Sequence, residues 1–219
     1  MDGLLVDTEP LWLETETEVM ARLGGAAWTE ADQQQLLGGS MERTVAHLLA
    51  KAKRPVPPER VEQWMADGML ERVAAGRVIV RPGARELLAE VAAAAIAHAL
   101  VTSSQRTFTE AVLASTGLRF PVVVTGDDVT AHKPDPQPYR LAARWLGVDP
   151  GRCVALEDSP NGVASATAAG CRVIAVPSLL PIEPAPGRVV VQSLSEVNLK
   201  RLGLPASGAG MPDYGRRRP

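Results

Sequence analysis

ALEDSPNGVASATAAGCRVIAVPS, residues 155–178, decides the fold. It opens near the end of an apolar run over 153–156 and turns through Glu157-Asp158-Ser159-Pro160. A helical stretch of small residues follows over 161–169, Gly170 breaks it, and a second apolar run covers 172–176. A short apolar run, a helix and another short apolar run make a βαβ unit, in which the crossover helix lets the two strands lie parallel. The alternation continues in both directions. Further strands are expected at 97–101, 121–124 and 189–191, and further helices at 84–97, 108–116, 138–146 and 194–202. Strands spaced by one helix each give an α/β fold around a parallel sheet.

Upstream of the turn Arg81-Pro82-Gly83 the texture changes. Residues 1–10, MDGLLVDTEP, carry turn chemistry at Asp2-Gly3 and from Thr8 to Pro10. Residues 11–71 read as helices only. Gly24-Gly25 stop the first, Thr29 caps a second over 31–37, Ser40 caps a third that runs to Lys53, and a fourth covers 59–73 beyond the proline-rich 55–58. No period-two alternation appears there, so 11–80 is expected to be an all-α insert between two parts of the core, 1–10 and 81–203. Residues 204–219 are rich in Gly, Pro and Arg and read as a disordered, solvated tail.

Composition narrows the function classes. The chain has 219 residues, 46% of them hydrophobic and 22% charged, which excludes disorder as its overall state. Lys and Arg number 23 against 25 Asp and Glu, a net charge of −2, so no basic surplus points to nucleic acid. The most apolar run, 91–101, holds His98 and falls short of the roughly 18 residues a membrane span needs. The N-terminus lacks a basic stretch followed by an apolar one, so no signal peptide is expected. Cys153 and Cys171 each begin an apolar run and read as buried thiols rather than a disulfide framework. His47, His98 and His132 have no metal-ligand spacing with them. A cytoplasmic monomer, with no nucleic-acid or membrane partner, is the expectation.

In open parallel sheets, ligands bind beyond the carboxyl ends of the strands. Thr102-Ser103-Ser104 follow the first core strand. Gly126-Asp127-Asp128 and then Lys133-Pro134 follow the second. Glu157-Asp158-Ser159 follow the third, and the N-terminal loop adds Asp2-Gly3. Hydroxyls and backbone N–H groups at a helix start hold a phosphate, a lysine neutralises it, and carboxylates recruit Mg²⁺, which takes one or two of them with water and phosphate oxygens. The joint inventory points to a small phosphorylated ligand.

These residues also carry a resemblance. MDGLLVDTEP at 1–10, ALVTSSQR at 99–106, GDDVTAHKPDPQPY at 126–139 and ALEDSPNGVASATAAGCRVIAVPS at 155–178 resemble, in order, the four motifs of the haloacid dehalogenase superfamily. The similarity is to the branch with a helical cap that includes sugar-phosphate phosphatases and β-phosphoglucomutase, and it spans about 1–200. It implies a three-layer, Rossmann-like parallel sheet core with an inserted all-α cap. It implies a Mg²⁺-dependent phosphomonoester hydrolase that works through an aspartyl-phosphate on a small phosphorylated metabolite. Residue by residue, it makes Asp2 the general acid and base, with its backbone carbonyl on the metal. It makes Thr102 and the N–H of Ser103 the phosphate holders, Lys133 the lysine that steadies nucleophile and phosphate, and Glu157 and Asp158 the metal carboxylates. In the cap, Trp12, Ser40 and Arg43 fall where substrate is contacted.

One departure matters. The family's first motif is Asp-x-Asp-Gly, and its first aspartate attacks phosphorus. Here Met1 fills the middle position, so the attacking residue and the central strand before it would precede Met1. A start placed too late and a chain that has lost its activity both account for this. The first is favoured, because the other site residues are of the types the chemistry needs and a sheet lacking its centre would leave unpaired edges. The alternatives are a non-catalytic protein that binds phosphate and Mg²⁺, and a phosphomutase. Trp12 in place of a mutase histidine and Met41 in place of an arginine speak against the mutase.

Overall fold

The computed structural model describes residues 1–36 and 41–204. In chain order, the first part holds β1 (Val6–Asp7), α1 (Glu9–Arg22), α2 (Glu30–Leu36), α3 (Met41–Lys51), α4 (Pro58–Ala74) and β2 (Ile79–Val80). The second holds α5 (Ala84–Ala93), β3 (Ala99–Val101), α6 (Arg106–Thr116), β4 (Val122–Val124), α7 (Gln137–Leu146), β5 (Val154–Glu157), α8 (Pro160–Ala169), β6 (Arg172–Ala175), β7 (Arg188–Val190) and α9 (Leu199–Leu202).

The stretch that opens the sequence reading folds as expected. β5 and β6 run parallel with Val154 opposite Arg172 and Glu157 opposite Ala175, and β7 joins the far edge of β6 in parallel. Between them, α8 starts where the Ser159 hydroxyl accepts the Gly162 N–H at 3.1 Å with Pro160 in the first turn, and it ends at Gly170. Alternate strand residues face opposite ways. Ala155, Val173 and Ala175 pack with Tyr139 of α7 and Val163 and Ala166 of α8, whereas Ile174 and Leu156 pack with Leu87 of α5, Val112 of α6 and Leu199 of α9. Helices therefore cover both faces of the sheet, which gives the three layers.

The sheet comes in two pieces. β3 pairs with β4 in one, β5, β6 and β7 pair in the other, and among the described residues no ladder joins β3 to β5. A gap thus separates β3 from β5. The Lys133 ammonium crosses it, donating to the Val101 carbonyl of β3 at 3.1 Å and to the Glu157 carboxylate of β5.

The helical part has its own core, with Val19, Met20 and Leu23 of α1, Val45 and Leu48 of α3, and Val61 and Met65 of α4. Thr29 caps α2 as expected. Its hydroxyl accepts the Asp32 N–H at 3.3 Å while Asp32 accepts the Thr29 N–H at 2.9 Å. The expected Ser40 cap of α3 and the tail from 205 onward lie outside the described residues.

Three expectations need correction. Residues 6–7 and 79–80, read as loop and as part of the all-α insert, form a short antiparallel ladder where the chain enters and leaves the helical part. The helix expected over 84–97 ends at Ala93, because Ala95 takes φ 52° and the Ile96 N–H turns back to the Val91 carbonyl. The helix expected over 194–202 is a 3₁₀ turn at Leu194–Glu196 followed by α9, split where Asn198 goes extended and its side chain caps the Arg201 N–H. Among the described residues, no helix is long and apolar enough to cross a membrane.

Candidate functional site

Asp2 stands at the head of a tight loop. The Gly3 N–H donates to the Val6 carbonyl and the Leu5 N–H to the Met1 carbonyl, both at 2.9 Å, while the buried side chains of Leu4, Leu5 and Val6 root the loop in the core. Two hydroxyls aim the carboxylate. Asp2 Oδ1 accepts from Thr8 Oγ1 at 2.8 Å and Oδ2 from Ser104 Oγ at 2.9 Å. Thr102, buried at the end of β3, donates its hydroxyl to Ser104 Oγ at 3.1 Å and accepts the Ser104 N–H. Ser103 is exposed between them.

The same loop presses on the end of β5. Gly3 has φ +76°, and a Cβ there would come within 2.1 Å of Asp158 Oδ2 and 2.7 Å of Ser178 Oγ, so only glycine lets the backbone lie this close to the carboxylate. Ser178 Oγ donates to Asp158 Oδ2 at 2.7 Å. Burial raises the Asp158 carboxyl above its ordinary range. Glu9, at the start of α1, is raised too, first by burial and then by the charges of Asp7, Asp2 and Asp158. Carboxylates thus crowd a partly dehydrated spot where negative charge is disfavoured.

Glu157 faces the other way. Lys133 and the Tyr139 hydroxyl both donate to its Oε1, and the Lys133 ammonium lies 5.2 Å from the Tyr139 ring centre. Burial first, and the Glu157 charge second, push the Tyr139 phenol well up, so it stays a donor. Gly162 leaves room for this carboxylate, since a Cβ there would sit 1.9 Å from Glu157 Oε2.

The structure therefore brings together Asp2, Thr102, Lys133, Glu157 and Asp158 at the carboxyl ends of β3 and β5, with Glu157 turned to Lys133 and Asp158 to the Asp2 loop. The expected cap residues are placed differently. Trp12 packs against both the helical core and the main core, its ring centre 6.4 Å from that of Phe108. Arg43 is exposed on α3 and donates to the Gln35 carbonyl at 2.7 Å. Ser40 lies outside the described residues. His132 is exposed next to Lys133.

Ser178, Tyr139 and Glu9 carry no site signal in the sequence reading, and Ser104 carries one only as the last residue of the Thr102-Ser103-Ser104 turn. Ser178 follows β6 as Asp158 follows β5, so the strand-end rule reaches it when carried one strand further. Tyr139 stands inside the 126–139 motif. In the sequence, Glu9 reads with Thr8 and Pro10 as turn chemistry; in the structure it opens α1.

A family model for haloacid dehalogenase-like hydrolases matches residues 1–176. The chain belongs to that family. This haloacid dehalogenase-like hydrolase is 36% identical to hexitol phosphatase B of Escherichia coli (strain K12) over 182 residues, 81% of each chain. It matches the crystal structure of CbbY from Rhodobacter sphaeroides in complex with phosphate at a TM-score of 0.80 and 33% identity, over 93% of this chain and 96% of that one. A mutant of that protein in complex with xylulose-(1,5)bisphosphate matches at 0.80 and 32%, over 92% and 96%. Coverage of this extent takes in helical part and sheet alike, so the fold is the family's α/β core with a cap. Within the family the chain stands with its phosphatases.

Proposed function

We propose that this hydrolase cleaves the phosphomonoester of a small phosphorylated metabolite, of the sugar-phosphate class, with Mg²⁺ and through an aspartyl-phosphate. The observation that carries the reading is the convergence of Asp2, the Thr102 and Ser104 hydroxyls, Lys133 and Asp158 at the carboxyl ends of β3 and β5.

In this reading Asp2 gives a proton to the leaving oxygen and later takes one from the attacking water. The donors Thr8 and Ser104 hold it in one orientation for both tasks. The Thr102-Ser103-Ser104 turn binds phosphoryl oxygens through hydroxyls and N–H groups. Lys133 offsets their charge, held in place by Glu157 and Tyr139. Helices α1–α4, all but the first two residues of α1 lying within the insert 11–80, cover the ester and exclude water, while 1–10 and 81–203 supply the core.

The donor set fits Mg²⁺. Among the described residues no cluster of three or more His, Cys, Asp or Glu side chains is poised on a metal. Mg²⁺ does not require one, since it keeps several waters and takes one or two carboxylates with substrate oxygens. Asp158, desolvated beside the Asp2 loop, and the Asp2 carbonyl would hold it, with Glu157 adjacent. When bound, the ion would polarise a phosphoryl oxygen as a Lewis acid.

The attacking carboxylate is assigned to a strand leading into Met1. The unjoined edges of β3 and β5 support this, because one strand between them would complete a single sheet and end beside Asp2. The test measures phosphate release from a panel of sugar phosphates, for this chain and for one extended at its N-terminus by an apolar strand ending in Asp. Mg²⁺-dependent release by the extended chain, abolished by EDTA, is expected. Binding without turnover by the extended chain would support a non-catalytic role instead, and an isomerised sugar phosphate would support a mutase.

A further inference from the structure

Cys153 and Cys171 lie at the other end of the sheet from Glu157 and Asp158, one leading into β5 and the other into β6. The ladder pairs Val154 with Arg172, and the Arg172 N–H donates to the Cys153 carbonyl at 3.1 Å. One residue back, the two cysteines are in-register neighbours with side chains on one face, that of Ala155 and Val173. Both sulfurs are free thiols, and Cys153 Sγ donates to the Asp149 carbonyl at 3.4 Å. Cys171 is buried and Cys153 partly exposed, which corrects the expectation of two buried thiols. Neighbouring strands run about 4.8 Å apart, within the roughly 4.4–6.8 Å Cα separation that a disulfide bridges.

We propose that Cys153 and Cys171 form a redox-modifiable dithiol, which a hydroperoxide converts to an intramolecular disulfide tying the N-terminal ends of β5 and β6. The partly exposed sulfur is the one to react first. The neighbouring Cys171 thiol brings the Cys153 thiol down to about 7, whereas Cys153 and burial push Cys171 up. With hydrogen peroxide, Cys153 first releases its proton; the thiolate then attacks one oxygen, the S–O bond forms, the O–O bond breaks, and the departing hydroxide takes up the released proton and leaves as water. Cys171 then attacks the Cys153 sulfur. The S–S bond forms, the S–O bond breaks, and the released hydroxide takes the Cys171 proton as a second water. Two thiols lose two electrons and one peroxide gains them. The inference is independent of the phosphatase reading.

The test exposes the full, reduced chain to hydrogen peroxide, alkylates it with N-ethylmaleimide in denaturant and weighs it intact. Reduced protein should take two labels. Oxidised protein should take none and weigh about two mass units less than the unlabelled reduced chain, and dithiothreitol should reverse the change. Bridge formation should run about tenfold faster in the native chain than in one unfolded in guanidinium, because the fold supplies both proximity and thiolate. Cys171→Ser should trap Cys153 as a dimedone-reactive sulfenic acid, whereas Cys153→Ser should leave Cys171 unmodified. Two persistent thiols, a link between chains, oxidation of Cys153 that stops short of the bridge, or a native rate no faster than the unfolded one would overturn the proposal. The wild-type measurement decides even where a variant fails to fold.

Discussion

Lys133 and Glu157 are both nearly buried, with side-chain exposures of 9% and 5%, so each charge depends on the other. Lys133→Met would leave the Glu157 carboxylate buried with the Tyr139 hydroxyl but no cation, which costs about 3 kcal/mol. Adding Glu157→Gln should recover most of that loss in a urea melt. Glu16 of α1 gives a pH dependence. Burial pushes its carboxyl from 4.5 up to about 7, against the hydrogen bond it accepts from Trp28 Nε1 at 3.0 Å. The folded chain therefore holds a proton that the unfolded chain releases near 4.5, so the contribution is full below 4.5 and is lost as pH rises to about 7. Glu16→Gln should flatten stability across that window and gain about 1–2 kcal/mol above it, read from melts at several pH values. At this scale Thr102, Lys133, Glu157 and Asp158 were legible because each follows an apolar run that had to be a strand. Tyr139 was not, because its partner Glu157 meets it only through the tertiary fold, and the bond from Ser104 to Asp2 likewise forms only there.

Elements were legible where their ends carry chemical signals. Ser159 and Gly170 bracket α8, and Gly117 and Gly147 close α6 and α7 in left-handed conformation. The end of α5 was missed because alanine occupies the left-handed position at Ala95, with φ 52°, and alanine reads as more helix. Ala95→Gly should therefore stabilise the protein by about 0.5–1 kcal/mol in a denaturant titration, because glycine adopts that conformation without the Cβ clash. The β1–β2 ladder was missed for another reason. Two residues on each side are too few to show alternation, and only pairing across the inserted helices makes them strands. β7 was placed to within a residue, and of the helix expected over 194–202 only the end, where buried Leu199 and Leu202 lie, is α9.

For the molecule as a whole, the order of strands and helices predicts a parallel sheet with helices on both faces, and the two cores on either side of β5 and β6 bear this out. The separation of β3 from β5 is a finding of the structure, where β3 pairs with β4 and β5 with β6 and no described ladder joins the two. An N-terminal strand placed there would pair two edges at once, and the extended chain should resist denaturant better than this one by several kcal/mol, at about 1 kcal/mol per added hydrogen bond. Its activity should also depend on Asp2. The most direct measurement is the rate of phosphate release from a sugar phosphate with Mg²⁺, by the extended chain and by the same chain carrying Asp2→Asn. Turnover that falls by about 100-fold or more in the variant is expected of a general acid and base. Equal rates in the two, or no release by the extended chain from any phosphate ester, would contradict the site described above.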